Sequence, residues 1–115
     1  MSAKLTIGLS STNGTITRQF TVSNRTISAV NPGFNDVTQK VGFAAPEAFT
    51  PVDLAAMGSI GVENLDPTNF VNYGAASAAL GFKLLAGEAA VFRASALWLQ
   101  ADTAEVKVRI FALDS

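Results

Sequence analysis

The side chains closest to forming a catalytic pair are carboxylates, Glu63 with Asp66 and Asp102 with Glu105. Two acids near one another can divide general acid and base roles in glycoside hydrolysis. Both pairs stand beside turn-forming residues, however, where acids solvate corners and cap backbone groups, and that plainer role is the preferred one. Asn64, Asp66 and Asn69 could offer oxygen ligands to a hard cation such as calcium. With one carboxylate among three ligands the set is poor in charge, and no metal is expected. Gly58-Ser59-Ile60-Gly61 and Gly81-Phe82-Lys83 lack the spacing of phosphate loops, so their glycines suit bulges or close backbone approach. Trp98, joined by Tyr73, Phe70, Phe43 or Phe34, could stack on a sugar or a base. Its place between Leu97 and Leu99 favours burial in a core instead. Glu88 and Arg93 are spaced to pair across a hairpin, an exposed contact of little energetic weight.

Neither His nor Cys occurs in the 115 residues. Their absence removes Ser-His and Cys-His catalysis, the usual zinc sites, any disulfide and the commonest general base near neutral pH. The chain is therefore expected not to be an enzyme and to need no cofactor. Net charge is -1, with Lys and Arg scattered from Lys4 to Arg109, so no basic stripe is spaced to neutralise a row of phosphates and nucleic acid is not an expected partner. The start, MSAKLTIGLSS, does not read as a signal peptide, and no stretch reaches the roughly 20 apolar residues of a membrane span. Synthesis in a cytoplasm and no membrane association are expected. Hydrophobic residues make up 49% of the chain and charged residues 15%, which predicts folding into one core. So small a charged fraction also suggests that part of the exterior is covered by a partner.

The elements that must position these residues are short strands. Leu5, Ile7 and Leu9 alternate with polar neighbours over Lys4 to Leu9, and Asn13-Gly14 offers the positive φ of a tight hairpin turn. Thr15 to Ser23 follows with Ile16, Phe20 and Val22 inward. A turn at Asn24-Arg25 leads to a strand over Thr26 to Val30, and Asn31-Pro32-Gly33 suits a type II turn. Further strands are predicted over Phe34 to Phe43, Phe49 to Leu54 and Ile60 to Asn64, and Phe70 to Tyr73 is a short aromatic run. Other strands cover Leu80 to Leu84, Ala90 to Arg93, Leu97 to Leu99 and Glu105 to Leu113. Asn64 to Asn69 forms a polar corner, and Ala75 to Ala79 a loop of small residues or a loose turn of helix. Short strands of this spacing with no sustained helical period predict a single all-β domain over residues 1–115. The arrangement is an antiparallel β-sandwich of about 8 short strands, with a jelly roll as one form of it.

Two stretches carry a resemblance. Gly58-Ser59-Ile60-Gly61-Val62-Glu63-Asn64-Leu65-Asp66-Pro67-Thr68-Asn69-Phe70-Val71-Asn72-Tyr73-Gly74 is one, and the run from Leu84-Leu85-Ala86-Gly87-Glu88 through Leu97-Trp98-Leu99-Gln100-Ala101-Asp102 to the last strand is the other. About half the chain thereby resembles small virion proteins of tailed bacteriophages, β-sandwich or jelly-roll modules. The resemblance implies a capsid decoration (cement) or head-to-tail structural protein, located on the virion, with the major capsid protein or another virion protein as partner. It carries over no functional residue, because the matching positions are those that shape the fold. A symmetric homo-oligomer, most simply a trimer, fits such a lattice, with Phe34, Phe43, Phe49, Phe70 and Tyr73 as candidate interface anchors. The alternative is a ligand-binding module, such as a carbohydrate-binding or tail-fibre-associated β-sandwich, which would require aromatics exposed on one sheet face.

Overall fold

A computed structural model describes residues 2–28, 34–52, 54 and 56–114. Among them there is no helix, and the strands run in the order β1 (Ser2–Asn13), β2 (Ile16–Ser28), β3 (Phe34–Val41), β4 (Glu47–Ala48), β5 (Met57–Asn64), β6 (Val71–Gly74), β7 (Phe82–Leu84), β8 (Ala89–Arg93), β9 (Trp98–Ala101) and β10 (Val106–Asp114).

The first two strands form a two-stranded sheet of their own. Asn13 pairs with Ile16, and between them Gly14 takes a φ of 63°, which an L side chain adopts only at a cost. The expected turn at Asn24-Arg25 is instead a bulge. The register passes from Ile7↔Val22 to Leu5↔Arg25, so β2 continues to Ser28 and absorbs the start of the strand predicted over Thr26 to Val30. An extra residue in one strand of an antiparallel pair produces this shift without breaking the ladder. Ala29, Val30 and the predicted Asn31-Pro32-Gly33 turn lie outside the described residues.

The remaining eight strands are a jelly roll. They pair as nested hairpins, β3 with β10, β4 with β9, β5 with β8 and β6 with β7, all antiparallel. Rolled up, the nested pairs give two four-stranded sheets in the orders β3-β10-β5-β8 and β4-β9-β6-β7. The core lies between them and follows the period-two rule that side chains alternate across a strand. In β10, Val106, Val108 and Ile110 are fully buried while Lys107 and Arg109 face water. Ile60 and Val62 from β5 and Val71, Leu97 and Leu99 from the opposite sheet complete the interior. No described residue before Asn35 is buried, so the core belongs to the roll and not to the hairpin.

The strand predicted over Phe49 to Leu54 is also corrected. Only Glu47 and Ala48 pair, against Leu99 and Trp98. Phe49 turns into the core and its amide donates to the Leu97 carbonyl at 2.8 Å, after which Pro51, having no N–H, cannot extend a ladder. Side chains of the roll hold the chain there: the Val52 amide donates to Asn35 Oδ1 and the Ala56 amide to Asp114 Oδ1, each at 3.2 Å.

Candidate assembly surface

Nested pairing gathers the connections β3–β4, β5–β6, β7–β8 and β9–β10 at one end of the roll. Hydrogen bonds tie them together: Ala101 donates to the Gly42 carbonyl at 2.9 Å, Asp102 to Phe70 at 3.2 Å, Leu65 to Lys107 at 2.9 Å and Gly87 to Asn64 at 3.1 Å. Gln100 Nε2 also donates to the Phe43 carbonyl at 3.0 Å.

The corner predicted over Asn64 to Asn69 is the most tightly bonded of the four. Asn64 is buried, its Nδ2 donates to the carbonyls of Asn69 at 2.9 Å and Leu84 at 3.1 Å, and its Oδ1 accepts from the Asp66 amide at 2.9 Å. Asp66 Oδ2 accepts the amides of Asn69 at 2.6 Å and Thr68 at 3.0 Å. Those two amides, Asn69 first, hold the Asp66 carboxyl below its ordinary range, since each bond favours the charged form. Asn64 Oδ1 and Asp66 Oδ2 are thus engaged in shaping the backbone. Among the described residues no cluster of three or more acids, histidines or cysteines is placed to hold a metal ion.

Asp66 serves the corner, and Glu105 lies on the surface 3.6 Å from Lys40. Glu47 accepts a hydrogen bond from the Gly42 amide and Glu88 Oε1 one from the Leu85 amide at 2.7 Å, so both acids close loops. The result is an end of the molecule dense in carboxylates, with Glu47, Asp66, Glu88, Asp102 and Glu105 in or beside the four connections.

Between these acids stand exposed apolar side chains. Phe43 is 52% exposed, Leu85 51% and Leu65 42%. Phe43 also borders a shallow hollow of about 330 Å³ with Ala44, Glu47 and Glu105. Of the predicted anchors whose side chains are described, Phe43 alone is exposed. Phe70 is half-buried under the Lys83 ammonium, which lies 4.3 Å from its ring centre. Phe34 begins β3, and its side chain lies outside those described. Phe49 and Tyr73 are corrections: both are buried in the core, so neither is available to a partner. Tyr73 stacks between Phe82, at 5.3 Å, and Phe92, at 5.4 Å. Burial, assisted by the Glu88 charge, raises its phenol above the ordinary value.

Trp98 is a further correction. Leu97 and Leu99 on either side take the core, so alternation turns the indole to the outer face of its sheet, where it is half-buried beside Phe49, Pro51 and Met57. Sequence reasoning also missed Leu65 and Leu85. A signal for the second was present, since adjacent Leu84 and Leu85 cannot both point to one side of a strand.

The hairpin presents a second apolar surface. Cross-strand pairs Ile7↔Val22 and Leu9↔Phe20 share one face, flanked by Arg18 opposite Ser11 and Arg25 opposite Leu5. Leu9 is 74% and Phe20 61% exposed. The other face is polar, with a Thr12–Thr17 hydroxyl hydrogen bond of 3.0 Å. No helix among the described residues is long and apolar enough to cross a membrane. The chain matches no protein-family model, and no curated protein or solved structure is significantly similar to it.

Proposed function

We propose that the protein is a structural component that works by assembly, a phage virion protein of the capsid decoration (cement) kind that binds the capsid lattice as a symmetric oligomer. The observation that carries this reading is the loop end of the roll, where three of the four connections expose Phe43, Leu65 and Leu85 and the same connections carry carboxylates. Apolar groups ringed by charge have the composition of an interface core and its rim. The jelly roll supports the reading, because viral capsid domains use that fold, as do lectins and cupins, and fold by itself does not select among them. The absence of His and Cys and the capture of Glu47, Asp66 and Glu88 by backbone amides weigh against turnover.

Mixing the purified protein with virions assembled without it, then sedimenting them, tests this directly. Saturable cosedimentation is the expected result, and none at saturating concentration overturns the reading.

A second reading, sugar binding, is favoured by the outer face of the sheet β4-β9-β6-β7, where Trp98, Gln100 and Asn72 project from neighbouring strands. An indole beside amide groups suits a sugar ring. Quenching or a shift of Trp98 fluorescence on titrating oligosaccharides would establish it.

A further inference from the structure

We propose that the hairpin β1–β2 of one copy seats its apolar face on the acidic loop end of a second copy, joining protomers head to tail. The inference deepens the assembly reading and rests on it. It starts from charge. Between Ser2 and Ser28 the only charged side chains are Lys4, Arg18 and Arg25, with no acid among them. The other five bases, Lys40, Lys83, Arg93, Lys107 and Arg109, share the rest of the chain with all nine acids. The hairpin therefore carries +3 and the remainder -4.

Packing points the same way. An isolated two-stranded hairpin is marginally stable in water and needs a surface against which to bury its apolar face. Among the described residues of β1 and β2 none is buried: in the quartet Ile7, Leu9, Phe20 and Val22, Leu9 and Phe20 are exposed and Ile7 and Val22 are half-buried. Face-to-face pairing of two hairpins would bury the quartet but bring Arg18 and Arg25 of both copies together. The cleft between the edges of β7 and β8, walled by Phe82 and Phe92, is apolar but has Arg93 on its rim and Lys83 in a flanking strand. The loop end instead offers Phe43, Leu65 and Leu85 to the quartet, and its acids Glu47, Glu88, Asp102 and Glu105 outnumber the bases Lys40, which faces Glu105, and Lys107 beside them. Like charges set against each other are strongly unfavourable, and complementary ones fix the register.

The contact is heterologous, because the hairpin face and the loop end are different surfaces of one chain. The start of β3 lies at the end of the roll opposite the four loops. Unlike surfaces that fit each other build a ring if the rotation closes and a filament if it does not.

The test is sedimentation equilibrium on three proteins at low salt: the wild type, the hairpin variant Arg18→Glu/Arg25→Glu and the loop variant Asp102→Lys/Glu105→Lys. All four positions are exposed, and circular dichroism checks folding. The wild type should self-associate, and each variant alone should weaken association at least ~10-fold in Kd, as expected for losing close charge pairs. Mixing the two variants should restore association, because each hairpin then meets a loop end of opposite sign. A wild type that stays monomeric to about 1 mM, near the weak limit of measurable self-association, overturns the proposal. A loop variant that associates like the wild type also overturns it and indicates hairpin-to-hairpin contact. So does binding of monomeric protein to phosphatidylserine vesicles through the hairpin face.

Since the chain has no Cys, mixing Phe20→Cys with Phe43→Cys gives a readout independent of charge. A covalent dimer should form in the mixture well above its yield from either variant alone, and equal yields count against the proposal. Head-to-tail association without virion binding would refute the decoration reading and leave this contact standing. A monomer that cosediments with virions would do the reverse.

Discussion

Asn64 and Leu84 tie the two sheets of the roll together. The Asn64 carboxamide at the end of β5 donates to the carbonyl of Leu84 at the end of β7, in the opposite sheet, at 3.1 Å and out of contact with water. A leucine at position 64 would leave the Leu84 and Asn69 carbonyls and the Asp66 amide without their partner. Each buried group left unsatisfied costs about 1–3 kcal/mol. Asn64→Leu should therefore destabilise the protein by roughly 2–4 kcal/mol in chemical denaturation, despite its greater apolarity.

Asp66 predicts a pH dependence. Its carboxyl is held below the ordinary aspartate value of 3.8, so its contribution is fully present above that value and is lost as pH falls through the lower folded-state value. Asp66→Asn should lower the thermal midpoint at pH 6, and the gap from wild type should close as pH drops from 4 towards 2. A gap that stays constant over that range would contradict this account of the corner.

Gly74 admits no side chain. A Cβ built there would meet the Ala79 carbonyl oxygen at 1.9 Å, a backbone atom that cannot move aside without shifting the β6–β7 connection. Gly74→Ala should cost about 1–3 kcal/mol, as overpacking does. At Gly81 a Cβ would meet nothing within 4 Å, so Gly81→Ala should stay within about 0.5 kcal/mol of wild type. Parallel urea titrations of the two variants check the pair.

Adjacent positions 98 and 99 should separate sharply on truncation. Leu99 is fully buried, and Leu99→Ala should cost about 2–5 kcal/mol from lost burial and the cavity left behind. Trp98, half-buried on the outer face, should lose less than Leu99 on truncation to Ala although it is the larger side chain. Acrylamide quenching of the native protein offers a further check, since the indole should be partly accessible.

Much of the fold could be read from alternation. Val106, Val108 and Ile110 against Lys107 and Arg109 define β10 and its buried face with no further information, and the same parity places Leu97 and Leu99 inward. Alternation groups Leu9 with Leu5 and Ile7, and Phe20 with Val22, but the expected inward placement of Phe20 is overturned, since it is 61% exposed, and parity cannot say what a face meets. Phe49 and Tyr73 failed as anchors for a related reason: an apolar parity is the same whether a core or a partner covers it. The bulge at Arg25 passed for a turn because Asn24 is a common turn residue and one extra residue leaves little local trace. The pairing of strands was the least legible feature, as Asp36 and Arg109, joined by two hydrogen bonds of 3.0 and 2.9 Å, are 73 residues apart. The candidate surface depends on that pairing, since the nested order brings the connections that carry Phe43, Leu65 and Leu85 to one end.

The nested order also governs how the chain can be made. Strand β10 is interior to its sheet, between β3 and β5, and supplies Val106, Val108, Ile110 and Ala112 to the core. On a ribosome, which extends chains at about 5–20 residues per second, β3 must wait several seconds for its partner. The outermost nested pair closes only after the three inside it, a high contact order that slows folding. The hairpin, with all its pairing local, can form long before. The nascent protein thus displays its basic, half-apolar ribbon before the roll has closed, and under the head-to-tail proposal association between copies waits until translation of each roll is complete.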